Sequence, residues 1–137
     1  VWWSLSSHIP NAARVADELA PKLAERLDRY EVQAALVIPA SKLCHQTAGV
    51  VARCIENAGI PTMMLAVDTE IMSKVRPPRA AYYGGELGSV AGTPNHSEYQ
   101  LRILDAALRW IEPFDQPGAR KLAVDLQTEV EIARGER

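Results

Sequence analysis

Two short apolar runs constrain the fold of this chain more than any other feature. "QAALVIP" (residues 33–39) and "TMMLAV" (62–67) lack the polar alternation of a half-solvated strand. That is the pattern of strands covered on both faces. Between them, residues 42–58 place Thr47, Val51, Cys54, Ile55 and Ala58 on one helical face. Gly59 closes this helix at the C′ position, and Pro61 follows two residues later. Strand, helix and strand in so short a span form a βαβ unit, whose crossover is expected to be right-handed.

The flanking sequence extends this unit. Asn11 is placed to cap a helix carrying Val15, Leu19, Leu23 and Leu27 on one stripe. Pro21 lies inside that pattern and is expected to kink or split the helix. "RAAYYGG" (79–85) reads as a third, edge-like strand ending at Gly84 and Gly85, with a glycine-rich loop running to Asn95. Ser97 and Gln100 form the spacing of a capping box before a helix through Ile111. Residues 118–134 predict a last amphipathic helix with Leu122, Leu126 and Val130. The fold class is α/β: a small, mainly parallel sheet with a βαβ unit flanked by helices. We divide the single domain, 1–137, into an N-terminal segment (1–10), a core (11–112) and a C-terminal helical extension (113–137). Three strands are few for so many helices, so a further strand, a partner chain or a missing N-terminal part is expected to complete the sheet.

Composition narrows the function. Fifteen basic and seventeen acidic residues are interspersed, for a net charge of -2, with no basic stripe for nucleic acid. No apolar stretch approaches the roughly 18 residues that span a bilayer, so no membrane partner is expected. No secretory signal pattern opens the chain. Two cysteines, Cys44 and Cys54, make no disulfide framework, and a reducing cytoplasm is the default. The chain opens on Val1, Trp2 and Trp3, which reads as an internal cut or a processed start, with the two indoles packing against this chain or a partner.

Chemistry is expected after the first strand, in "IPASKLCHQTAG" (38–49). Ligands in open α/β sheets bind beyond the carboxyl ends of the strands. Cys44 falls at the first turn of the following helix, where backbone N–H groups and the helix dipole favour a thiolate over a thiol. Ser41, His45, Gln46 and Thr47 supply polar groups nearby, and Asp68 and Thr69 end the second strand at the same rim. We take Ser41 and Cys44 as candidate catalytic residues, and His45, Gln46, Thr47, Asp68 and Thr69 as candidate substrate-binding residues. The opposing reading is structural. Cysteine is among the most buried residue types, and Ser41 and Thr47 are common cap residues. Cys54 reads as core, His96 as a loop residue and His8 as solvent-exposed. No metal-ligand spacing is present, so the expected site uses neither metal nor cofactor.

"LVIPASKLCHQTAGVVARCIENAGIPTMML", then "VRPPRA", then "LGSVAGTPNHSEYQLRILDAALRWI" resembles the glycine/sarcosine/betaine reductase selenoprotein B family, and is similar also to the D-proline reductase selenoprotein subunits. The resemblance covers roughly residues 15–112. In that family the redox motif is selenocysteine or cysteine, two residues, then cysteine. Ser41 stands at the first position and Cys44 at the second. The resemblance implies thiol- or selenol-based reductive cleavage of a carbon–heteroatom bond in a small-molecule substrate, with the first residue as nucleophile. Serine at that position cannot close a selenenyl-sulfide or disulfide with Cys44. It also implies that this chain matches mainly the C-terminal half of longer proteins. The expected assembly is a homo-oligomer, or a pairing with a partner subunit or N-terminal segment. Two alternatives stay open: a catalytically silent assembly subunit, and a non-redox cysteine enzyme of racemase or lyase type.

Overall fold

The computed structural model describes residues 2–5, 9–111 and 117–122. Strands β1 (Ala35–Val37), β2 (Thr62–Ala66), β3 (Arg79–Tyr82) and β4 (Gly118–Lys121) pair in that order, all parallel. The register sets Ala35 opposite Thr62, Met64 opposite Ala80, and Ala80 opposite Ala119. Parallel neighbours need crossovers. Helices α3 (Cys44–Asn57), α4 (Thr69–Val75) and α5 (Ser97–Arg109) supply them. The chain is therefore α/β, a four-stranded parallel sheet flanked by helices.

The apolar run of β2 is buried throughout, as strands covered on both faces require. On one face Met64, Ala66 and Ala80 meet Ala48 of α3 and Met72 of α4. On the other, Met63, Leu65 and Ala81 meet Tyr99, Ile103 and Ala107 of α5. Each large side chain so enclosed contributes about 2 kcal/mol of apolar burial. Because α5 lies opposite α3 and α4, the β3–α5–β4 connection has the opposite hand to the two before it. Parallel crossovers nearly always share one hand. The long segment 83–96 carries the chain to the other face.

The amino-terminal elements add a third cluster. Helix α1 (Ala12–Arg14), a π-helical turn (Val15–Leu19) and α2 (Ala20–Arg29) run without a break. Val15, Ala20 and Leu27 pack on Val51, Ile55 and Ile60. Asn11 caps α1, its side-chain oxygen accepting from Arg14 N at 3.0 Å. Trp3 packs against this cluster and meets Tyr30 edge-on at 5.7 Å, whereas Trp2 is 84% exposed. Gly59 has φ +91°, the left-handed C′ conformation expected of it. At Gly49 an added Cβ would fall on the Val75 side chain, so glycine is what lets α3 and α4 touch.

Pro21 sits in the first turn of α2, where the helix passes from the wider π-helical turn into α-helix, and that wider turn relieves the lost hydrogen bond and the ring clash. Three expectations are corrected. The 79–85 strand is interior, because β4 pairs on its outer side, and Ala80 and Ala81 are buried. The capping box does not form: His96 precedes α5 as its cap residue, and the Gln100 amide donates to Thr93 O at 2.9 Å instead. The predicted helix over 118–134 begins as a strand, since 118–121 pair with β3. Leu122 is buried beside it, while Leu126 and Val130 lie outside the described residues. Strand β4 adds a fourth strand to the three read from the sequence. Among the described residues no helix is long and apolar enough to cross a membrane.

Candidate functional site

Strand β1 ends at Val37, two residues before Pro39, which has no N–H to extend the ladder. Residues 40–43 then turn into α3, whose first residue is Cys44. Leu43, the residue before the helix, offers no side-chain cap. Ser41 takes that role. Its hydroxyl oxygen accepts from Cys44 N at 3.3 Å and its proton points to Cys44 Sγ at 2.9 Å. One hydroxyl can do both, having one donor and two lone pairs. The sequence-predicted pair is thus in side-chain contact, with Ser41 exposed and Cys44 half-buried.

The rim of β2 closes on this turn. Asp68 caps α4, Oδ1 accepting from Ile71 N at 2.8 Å. That hydrogen bond, with a smaller contribution from Lys42, holds the Asp68 carboxyl below the ordinary carboxylate range against the opposing effect of partial burial. Lys42 Nζ lies 3.7 Å from Asp68 Oδ2, with the carboxylate side chain only 14% exposed. Thr69 is exposed at the first position of α4.

His45 points the other way from Cys44 and is fully buried. Nδ1 is 2.8 Å from Ser41 O, and Nε2 accepts from Val67 N at 3.2 Å and Asp68 N at 3.3 Å. Thr47 is also turned inward, its hydroxyl accepting from Ile9 N at 3.1 Å. Of the candidate binding residues, Gln46 and Thr69 face solvent, Asp68 is held between its cap and Lys42, and His45 and Thr47 are engaged within the fold.

Cys54 sits elsewhere. It is ten residues along α3 from Cys44, about 15 Å at 1.5 Å per residue. Its thiol is directed to Ala16 O at 3.7 Å, and burial raises its pKa. It lines a shallow groove of about 540 Å³ with Pro21, Ala24, Glu25, Asp28, Asn57 and Ala58, between α2 and α3. The two sulfurs cannot bridge across that separation. His96 lies at the start of α5, and His8 lies outside the described residues. Among the described residues no cluster of three His, Cys, Asp or Glu side chains is gathered as a metal site would need.

Sequence reasoning missed Lys42, which only the fold brings to Asp68. It also missed the anchor of the loop beyond β3. Tyr83 read as part of a strand. Its buried hydroxyl donates to Ser89 O and accepts from Gly92 N, both at 2.8 Å, which pins the loop beyond β3. Burial raises its pKa. The nearby glycines were the available signal: an added Cβ at Gly85 would strike the Tyr83 ring.

Over 105 residues the chain is 30% identical to the D-proline reductase subunit gamma of Acetoanaerobium sticklandii. The chain is a relative of a reductase subunit. The match takes in 77% of this chain and 43% of that protein, so the chain spans less than half the length of its relative. No family model matches the sequence, and no solved structure matches it.

Proposed function

We propose that this chain is a reductase subunit of the selenoprotein B type, with thiol-based reductive cleavage of a carbon–heteroatom bond in a small substrate taking place at Ser41 and Cys44. The observation that carries the reading is the 2.9 Å contact between Ser41 Oγ and Cys44 Sγ at the rim of a parallel sheet, in a relative of a reductase subunit. Cleavage of this type consumes two electrons. One thiolate or selenolate attacks carbon and displaces the heteroatom group, which leaves with its bonding pair and is protonated. A second thiol attacks the sulfur or selenium, and the carbon departs and takes up a proton. Substrate is reduced and the two chalcogens are oxidised to a bridge. Cys44 is one partner, and Cys54 is too distant to be the other. With serine at 41, the second thiol or selenol comes from another molecule. Gln46, Asp68 and Thr69 are the proposed substrate contacts. The proposed assembly is a homo-oligomer or a pairing with a partner subunit. The exposed apolar side chains of Ile38 and Leu43 beside the motif suit a docked chain.

A catalytically silent subunit is the second reading, favoured by Ser41 itself, whose oxygen cannot join a chalcogen bridge. One experiment separates the two. Thiol-dependent reduction of D-proline, the substrate in the relative's name, is measured with the chain and its co-purifying partners. Loss of turnover in Cys44→Ala with Cys54→Ala unaffected is the expected result. Equal turnover by Cys44→Ala and the parent chain would favour the silent reading.

A further inference from the structure

The buried histidine next to the motif has no part in the chemistry above, yet it holds the motif in place. Nε2 faces two backbone N–H groups, Val67 and Asp68, at 3.2 and 3.3 Å. Two donors can meet only a lone pair, so the ring proton lies on Nδ1, which donates to Ser41 O at 2.8 Å. The ring is fully buried, where an unmade hydrogen bond is costly. It therefore ties the turn after β1 to the turn after β2. Ser41 is the shared residue: its carbonyl is fixed by His45 while its hydroxyl reaches Cys44.

We propose that His45 is a positioning residue, held as its Nδ1–H tautomer, that aims the Ser41 hydroxyl at the Cys44 sulfur. This rests on the reading of Ser41 and Cys44 as the reactive pair. The two arms of the ring can be removed separately. In His45→Asn the side-chain amide takes the place of Nδ1–H and keeps the arm to Ser41, but does not reach β2. In His45→Gln the amide oxygen takes the place of Nε2 and keeps the arm to Val67 and Asp68, but loses Ser41. A purely structural histidine makes both variants change together. A positioning histidine splits them.

The test uses the full chain and reads the alkylation rate of Cys44 by iodoacetamide, with peptide mapping to exclude Cys54. Circular dichroism and urea unfolding are followed in parallel. His45→Gln is expected to stay folded and slow alkylation about tenfold, the scale of one lost hydrogen bond. His45→Asn is expected to lose stability while keeping the rate within about twofold, the arm to Ser41 being intact. Because the effect passes through Ser41, His45→Gln added to Ser41→Ala should slow Cys44 no further than Ser41→Ala alone. In the parent chain ¹⁵N NMR should show Nδ1 protonated and Nε2 bare. Multiplying effects in the double variant, or an Nε2–H tautomer, would overturn the proposal. If either His45 variant fails to fold, an Nε2–H tautomer still overturns the proposal. Failure of the underlying reading looks different: Ser41→Ala itself would leave the Cys44 rate unchanged.

Discussion

At the amino end of the sheet a polar knot is closed on every side, and at the carboxyl end a similar set of groups is left half open. Glu56 Oε1 accepts from Thr62 N at 2.9 Å, from Thr62 Oγ1 at 3.0 Å and from Arg79 Nε at 2.9 Å. Arg79 adds Nη2 to Glu56 Oε2 at 3.3 Å and Nη1 to Ile111 O at 2.8 Å. One ion pair thus joins α3, β2, β3 and the end of α5. At the other end Ser41, Lys42, Gln46 and Thr69 remain exposed around a half-buried thiol. Under the proposed function, the difference follows from what each end does. Groups that fasten the fold are saturated, because a buried polar group without a partner is costly. Groups that meet a substrate must keep hydrogen-bonding capacity free until it arrives. Open α/β sheets place ligands at the carboxyl end.

This contrast is broken most strongly at the amino end. Arg79→Leu strands Glu56 and the Ile111 carbonyl together. Removing one partner of a buried pair costs about 3–5 kcal/mol. Arg79 and Glu56 are 20% and 17% exposed, so solvent reduces the expected loss to about 2–3 kcal/mol. Urea unfolding measures it. Cys44 reactivity in the folded fraction should be unchanged, since the rim is at the opposite end.

A smaller effect is expected at Asp68, and it depends on pH. Its carboxyl is held below the ordinary range, first by the Ile71 N–H and then by Lys42. A depressed folded-state pKa means stability that is present above the unfolded value of ~3.9 and is lost as pH falls through the folded value. Asp68→Asn retains a capping oxygen, so it should cost under about 1 kcal/mol near neutrality. The deficit should close as pH falls through the folded-state value, where the parent carboxyl is also protonated. Stability curves for both proteins across pH 2–7 give the answer, and a deficit independent of pH would mean that charge is not what Asp68 contributes. Least of all is expected from Lys42→Ala. An ion pair at 3.7 Å with a lysine 57% exposed is worth about 0.5 kcal/mol or less.

The same contrast explains what the sequence disclosed. The βαβ core was legible because β2 and the α3 face are apolar in the right periods, and Asn11 and Gly59 mark helix ends by mechanisms confined to their own turns. Strand β4 was not. Gly118, Ala119, Arg120 and Lys121 are exposed, and their strand state comes from backbone pairing with β3, which leaves no side-chain pattern. The interior place of β3 was hidden for the same reason, since it depends on that distant partner. At the rim, the Ser41 and Cys44 spacing led to a real contact. The inward turn of His45 was invisible, because the two N–H groups that its Nε2 meets lie more than twenty residues along the chain.

One measurement bears most directly on the rim as a redox-type site. Ser41→Cys places a second sulfur where a hydroxyl now lies 2.9 Å from Cys44 Sγ. A disulfide needs about 2.05 Å between sulfurs, a small further approach. Mild oxidation followed by intact mass and peptide mapping should show a loss of about two daltons in a 41–44 bridge, with circular dichroism unchanged. A folded Ser41→Cys chain that keeps both thiols free, or bridges only between molecules, would contradict the assignment of positions 41 and 44 to one reactive pair.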